Sequence, residues 1–291
     1  MKRNAIFRII AWTISLVILV GLLVAGMNWF LPFGRYGFQN RGTSEVTHTS
    51  EKNAGRASGE AYPFDAGEIR ELEIDWLSGN IRLVPANVEQ IEVSETHAED
   101  AKYAMVCRQE GQTLKIEYCQ HTTFGDWKNL KFSKDLTITV PKDWEGRALK
   151  VDAASAKLYV QDLTIRDVEI DAASGASQFD NCTVDELDID TASGDIRFSG
   201  SLNKLDCDSA SAGVYAELDN VPSEIDMDTA SGAVELVLPK DAGFSVKSDS
   251  MSGSFDSDFP FTVKNGRYIS GNGACKIDMS SMSGGVTIRS K

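Results

Sequence analysis

The chain has 291 residues, with 29 Lys and Arg against 43 Asp and Glu, for a formal net charge of −14. The first 35 residues hold four basic residues and no acidic one, so residues 36–291, with 25 basic and 43 acidic, carry −18. That sign, without a clustered basic patch, excludes a nucleic-acid binder and argues against docking on anionic lipid head groups.

Residues 1–8 contain Lys2, Arg3 and Arg8, and residues 9–31 read IIAWTISLVILVGLLVAGMNWFL without a charge. A helix of that length spans about 34 Å, enough for the hydrocarbon core of a bilayer. Trp12, Trp29 and Phe30 lie near its ends, where an aromatic belt would be. The basic residues in front place the N-terminus in the cytoplasm and the rest outside, as a single-pass protein of the cell membrane. The rival is a cleaved signal peptide, with Val24-Ala25-Gly26 as the best cleavage site. The apolar run is long for such a peptide, so an uncleaved anchor is expected. Residues 32–60 form a linker that is polar from Gln39 onward and reads as a flexible tether.

Residues 61–146 alternate apolar and polar positions in short runs: LEIDWLSGNIRL (72–83), IEVSE (91–95), a hairpin around Gly111 pairing 103–106 with 114–118, and LTITV (136–140). Period two means half-buried strands, so this part is expected to be an irregular β cap with the first coils. Residues 121–134, HTTFGDWKNLKFSK, have no period. Phe124, Trp127 and Phe132 there either fold back over the end of the stack or form a surface on which a partner docks.

Residues 147–291 repeat one phrase. Beside the early copy at 72–83 stand LKVDAASAKLYV (149–160), VEIDAASGASQF (168–179), LDIDTASGDIRF (187–198), LDCDSASAGVYA (205–216), IDMDTASGAVEL (225–236), VKSDSMSGSFDS (246–257) and IDMSSMSGGVTI (277–288). Their serines are Ser78, Ser155, Ser174, Ser193, Ser211, Ser231, Ser252 and Ser283, at intervals of 77, 19, 19, 18, 20, 21 and 31. A sustained period near 19 means stacked units. Each unit reads strand, tight corner, strand, looser corner. No unit of that size buries its apolar face alone, whereas stacking closes a continuous interior. The expected fold is all-β: a β-solenoid of stacked coils of about 19 residues, behind an N-terminal transmembrane helix. The long last interval contains FTVKNGRYI (261–269), whose Asn265-Gly266 signals a type I′ hairpin, expected to project from the stack.

In the corner D-x-[small]-S-[G/A], Asp and Ser side chains are expected to accept hydrogen bonds from nearby N–H groups and so tighten the turn. The position after the serine is Gly in six copies and Ala156 and Ala212 in the others. Alanine there implies a demand for small size beside a neighbouring coil rather than for positive φ. These strands and ASGDI-type corners, preceded by ITVPKD (138–143), resemble the putative adhesin family of bacterial envelope domains. The resemblance covers roughly residues 68 to 289. It implies a β-solenoid envelope domain of unknown function and supplies no catalytic residues.

The sharpest candidate site is the ladder Asp75, Asp152, Asp171, Asp190, Asp208, Asp228 and Asp249, one Asp per corner. Turn capping is the expected role. Calcium on Asp171, Asp190, Asp208 and Asp228 is the alternative, because an oxygen-ligated cation relieves like-charge repulsion. The nonapeptide calcium-roll pattern is absent. Among five cysteines, Cys207 occupies an inward position, Cys182 and Cys275 fall at other repeat phases, and Cys107 and Cys119 sit out of opposition across the hairpin turn. No Cys/His metal spacing, nucleophile elbow, P-loop or dinucleotide fingerprint occurs. His97 with Glu95, Glu99 and Asp100 is a weak metal constellation and reads better as a solvated loop. No cofactor is expected. The resulting expectation is a non-catalytic, membrane-anchored interaction or sensing module whose partner is an envelope protein or glycan. A carbohydrate-active enzyme or a calcium-stiffened spacer is the alternative.

Overall fold

The computed structural model describes residues 47–48, 60–96, 104–119 and 133–291, and among these every regular element is a strand. In chain order they are β1 (Thr47–His48), β2 (Tyr62–Phe64), β3 (Glu71–Ala86), β4 (Ile91–Glu95), β5 (Val106–Glu110), β6 (Thr113–Glu117) and β7 (Leu136–Pro141). The repeats supply β8 (Glu145–Gln161), β9 (Thr164–Ser174), β10 (Ser177–Ser193), β11 (Ile196–Ser211), β12 (Val214–Leu218), β13 (Glu224–Thr229) and β14 (Val234–Leu238). The last are β15 (Phe244–Ser250), β16 (Phe255–Ser257), β17 (Thr262–Lys264), β18 (Arg267–Ser270), β19 (Cys275–Ser281) and β20 (Val286–Ser290). The segment 9–31 lies outside the described residues, as do Phe124, Trp127 and Phe132.

Equivalent positions of successive copies pair in parallel. Ser78 is opposite Ser155, Ser174 opposite Ser193, and Ser193 opposite Ser211. The alternation seen in the sequence therefore becomes columns. Leu149, Val168, Leu187, Leu205 and Ile225 stack on one inner wall. Leu158, Ser177, Ile196, Val214 and Val234 stack on the other. Nearly all of these are buried apolar side chains, each contributing roughly 1.5–3 kcal/mol. Cys207 is buried in a further inward column, filling the place that Ile189 holds one coil earlier.

Two corners close each coil. At the tight corner a Cβ on Gly175 would lie 1.9 Å from the Ala156 carbonyl oxygen, and on Gly194 2.0 Å from that of Gly175. Close backbone approach is thus the common demand. Three of the six glycines, Gly79, Gly175 and Gly194, also sit at positive φ, so conformation adds to size at those coils. At the looser corner Asp162, Asn181 and Gly200 take positive φ at 19-residue spacing. These are the residue types that enter the left-handed region at least cost.

Order in space departs from order in sequence at both ends. The Ile277 copy, not the Val246 copy, pairs with the Ile225 copy; β15 and β16 lie outermost on β19 and β20. The hairpin β17–β18 does not project: β18 pairs antiparallel with β15. Its Asn265-Gly266 turn has positive φ at both residues, as type I′ requires. At the other end β6 and β7 pair in parallel with the two halves of β3, forming an extra coil outside the Leu72 copy although later in sequence. The preceding hairpin pairs Val106–Glu110 with Thr113–Glu117, a few residues beyond the expected register. Strands β4 and β2 then cover β7 in turn, both antiparallel.

Candidate functional site

The first outward face is a grid of charge. One column runs Asp75, Asp152, Asp171, Asp190, Asp208, Asp228, Ser280, Asp249. Ser280 interrupts it because the last two copies exchange places. Two residues earlier on the same face runs Glu73, Lys150, Glu169, Asp188, Asp206, Asp226, Asp278, Lys247. Cations pair the margins: Lys150 lies 2.7 Å from Glu169, and Lys276 lies 2.6 Å from Glu224 and 3.2 Å from Asp278. Among the described residues the centre, Asp188, Asp190, Asp206, Asp208, Asp226 and Asp228, has no such partner in an ion pair. Burial, then the charges of Asp188 and Asp226, pushes the Asp206 carboxyl up to about 6. Burial, then Asp228 and Asp190, pushes Asp208 up to about 7.

Neighbouring carboxylates of this grid are one coil apart, about 4.8 Å. Among the described residues no three His, Cys, Asp or Glu side chains are arranged to hold a metal ion. The corner serines act between coils. Ser155, Ser174 and Ser211 donate their hydroxyls to the carbonyls of Leu77, Ala154 and Ala192 in the preceding coil, each at 3.4 Å. Ser252 donates to Met282 at 3.2 Å. Ser78, Ser193, Ser231 and Ser283 occupy the same corner in their own coils. In the four donating copies the serine hydroxyl ties one coil to its neighbour.

The second outward face carries Arg82, Tyr159, Gln178, Arg197 and Tyr215 in one column. Arg82 lies 4.9 Å over the Tyr159 ring, a cation–π contact. The Tyr159 hydroxyl donates to Gln161 at 2.8 Å and Gln178 donates to Asp180 at 2.8 Å. The two hydrogen bonds lie within single coils, and the Arg82–Tyr159 contact joins neighbouring coils.

The N-terminal end is sealed around a buried ion pair. Lys134 is 0% exposed and its Nζ lies 2.6 Å from Glu95. The ammonium also donates to the Tyr118 carbonyl, and lies 4.1 Å from the Tyr118 ring and 5.1 Å from Trp76. Glu95 accepts from the Met105 N–H at 2.7 Å, and Trp76 donates to the Lys134 carbonyl at 3.0 Å. Burial lowers the Lys134 pKa against the pull of Glu95. Sequence reasoning placed Glu95 with solvated loop residues and gave Lys134 no role. The available signal was a strand-ending Glu inside an apolar alternation, which burial would oblige to find a cation.

The C-terminal end is different. Phe255, Phe261 and Tyr268 pack together there, with Phe255 and Tyr268 stacked at 4.3 Å. Among the described residues five large hydrophobics are exposed, and four are here: Met251 (83%), Val263 (63%), Met282 (46%) and Phe261 (41%).

Stacked parallel coils with two outward faces and a continuous apolar interior define a solenoid-like all-β domain. The chain belongs to the Toastrack DUF4097 family, whose model matches residues 69–215 and 199–289. Solved structures are similar in fold. A putative cell adhesion protein from Clostridium sporogenes shares 9% identity and a TM-score of 0.40, over 80% of this chain and 99% of that one. A putative adhesin from Bacteroides fragilis shares 11% identity and a TM-score of 0.45, over 79% and 96%. A putative lipid binding protein from Parabacteroides distasonis shares 14% identity and a TM-score of 0.39, over 80% and 98%. No curated protein matches the chain.

Proposed function

We propose that the chain is a single-pass envelope protein, anchored by residues 9–31, whose extracytoplasmic β-solenoid is a non-catalytic interaction module. The observation that carries this reading is the uncovered C-terminal end of the stack. A domain that buries its interior elsewhere leaves Met251 and Met282 at the tight corner, and Phe261 and Val263 at the hairpin, in water, and apolar exposure of that kind at one end supports an interaction surface. Chain topology supports the same view. Strand β1 pairs with β5 at the opposite end, so Thr47–His48 lies away from this surface. The apolar run with basic residues before it supports the anchor. The hairpin at Asn265-Gly266 and the loop carrying Phe124, Trp127 and Phe132 are the docking regions of this reading.

The test places a photo-crosslinking residue at position 263 or 127 of the full chain in intact cells. A reproducible adduct with one envelope protein or glycan is expected from at least one site, and none from position 235 on the second face. Equal labelling from all three positions, or none from any, would sink the reading.

A further inference from the structure

We propose that the C-terminal end of the stack is a self-association surface on which a second copy of this chain docks end to end. The inference rests on the interaction-module reading and names its partner. Three independent observations carry it: open strand edges, uncovered apolar side chains, and local charge balance.

The edges come first. Among the described residues, β15 is paired by β18 only at Phe244–Val246, so the outer side of Ser248–Ser250 has no strand beside it. Among the same residues β16 pairs only with β20, and β17 only with β18. An unpaired edge is a template for another strand. At the N-terminal end β6 and β7 cover β3 and β4 covers β7, so the outer strands there are the short β2 and β1, each paired on one side among the described residues.

The apolar side chains come second. Val263 is directly opposite Tyr268, so both point to the same side of the hairpin. Tyr268 rests on Phe255, yet Val263 is left 63% exposed. The hairpin therefore overhangs the end of the stack without covering it, and Met251, at the tight corner of the outermost coil, is 83% exposed.

Charge then selects the partner. Residues 60–291 hold 22 basic and 41 acidic residues, a net −19, so two copies repel one another across most of their surface. Residues 244–270 hold three of each: Lys247, Lys264 and Arg267 against Asp249, Asp256 and Asp258. Most of these are already neutralised locally. Lys247 lies 2.5 Å from Asp249, Arg267 2.6 Å from Asp278, and Arg289 3.0 Å from Asp256 and 3.1 Å from Asp258. The C-terminal end is thus a place where two such acidic chains meet without net repulsion. It carries no excess charge that would recruit a polyanion or polycation instead.

Closed two-fold pairing is the simplest geometry for one surface meeting itself. Antiparallel pairing of the free edge of β17 about its central residue sets residue 263 opposite its own counterpart. Native cysteines do not interfere, because Cys107, Cys182, Cys207 and Cys275 are buried and Cys119 is half-buried at the other end.

The experiment uses the full chain, purified in a nonionic detergent and followed by sedimentation equilibrium across micromolar concentrations. The wild type is expected to dimerise. Val263→Asp with Met251→Asp weakens the dimer at least about tenfold, with an unchanged circular dichroism spectrum. Tyr215→Ala, which removes the exposed aromatic on the second face, leaves it unchanged. Under mild oxidant Val263→Cys gives a disulfide-linked dimer and Tyr215→Cys does not. A dimer equally strong in the double variant, a wild type that stays monomeric, or crosslinking no faster at 263 than at 215 overturns the proposal. If the monomeric chain still captures a foreign partner in cells, self-association falls while the interaction-module reading stands.

Discussion

The two ends of this solenoid solve the same problem in opposite ways. Each must hide the last apolar coil, and at each the chain folds back so that sequence order and spatial order differ. At the N-terminal end the fold-back is long. It holds an added coil, four antiparallel strands and the buried pair Lys134–Glu95, and it encloses Trp76, Tyr118 and Trp144. At the C-terminal end the fold-back is one short hairpin over a coil whose outer edge stays open. A stack whose interior is uniform can therefore have one end built for closure and the other for contact, because only nearest neighbours stabilise a coil.

The largest expected effect sharpens this contrast at the sealed end. Lys134→Met leaves Glu95 buried without its cation and should cost about 3–5 kcal/mol in urea unfolding. The double variant Lys134→Met with Glu95→Gln should recover much of that loss. A single variant as stable as the wild type would mean that the pair does not close this end.

Aromatic truncation compares the ends directly. Trp76→Ala, which empties a fully buried site, should cost about 3–5 kcal/mol, whereas Phe261→Ala should cost about 1 kcal/mol or less. Equal losses would remove the distinction. Between the ends, Ile196→Asp puts a carboxylate into the interior and should be comparably damaging, with Arg197→Asp, facing water, within about 0.5 kcal/mol of wild type.

Corner geometry gives a smaller effect. Gly194→Ala sets a methyl against the Gly175 carbonyl at positive φ, so a loss of about 2–3 kcal/mol is expected. Gly266→Ala meets nothing within 4 Å and suffers only its backbone conformation, about 1 kcal/mol.

The smallest effect belongs to the acidic grid, and its sign is set by linkage. Asp206 and Asp208 are raised to about 6 and about 7, so the folded state holds protons that the unfolded chain releases near pH 4. Their contribution favours the fold below pH 4 and is lost as pH rises through about 7. Asp208→Asn should therefore stabilise the protein at pH 8 by about 1 kcal/mol, discounted for solvent screening, or about 2–4 °C in Tm. Near pH 4 it should be neutral. A gain that is the same at both pH values would show that repulsion within the grid is not its source.

Much of this was legible in the residues. Strict period two around D-x-[small]-S-G assigns inward and outward positions, so the buried column from Leu149 to Ile225 and the outward Asp ladder follow from pattern alone. The family resemblance rests on the same corners. The serine's role was not legible, because a hydroxyl that could accept from its own turn donates instead to a carbonyl one coil away. The left-handed residues Asp162, Asn181 and Gly200 keep the 19-residue period, yet their identities differ enough to hide it.

What the sequence determined by itself is the coil: its length, its two corners and which side of each strand faces inward. These are local matters of alternation and turn chemistry, carried by residues close together in the chain. The tertiary structure alone decided the order in which the end coils stack, the burial of Lys134 against Glu95, and which end stays open. Each depends on pairing between segments tens of residues apart. Copies so alike can pair with more than one neighbour, and edges and loops, rather than the repeat itself, select which.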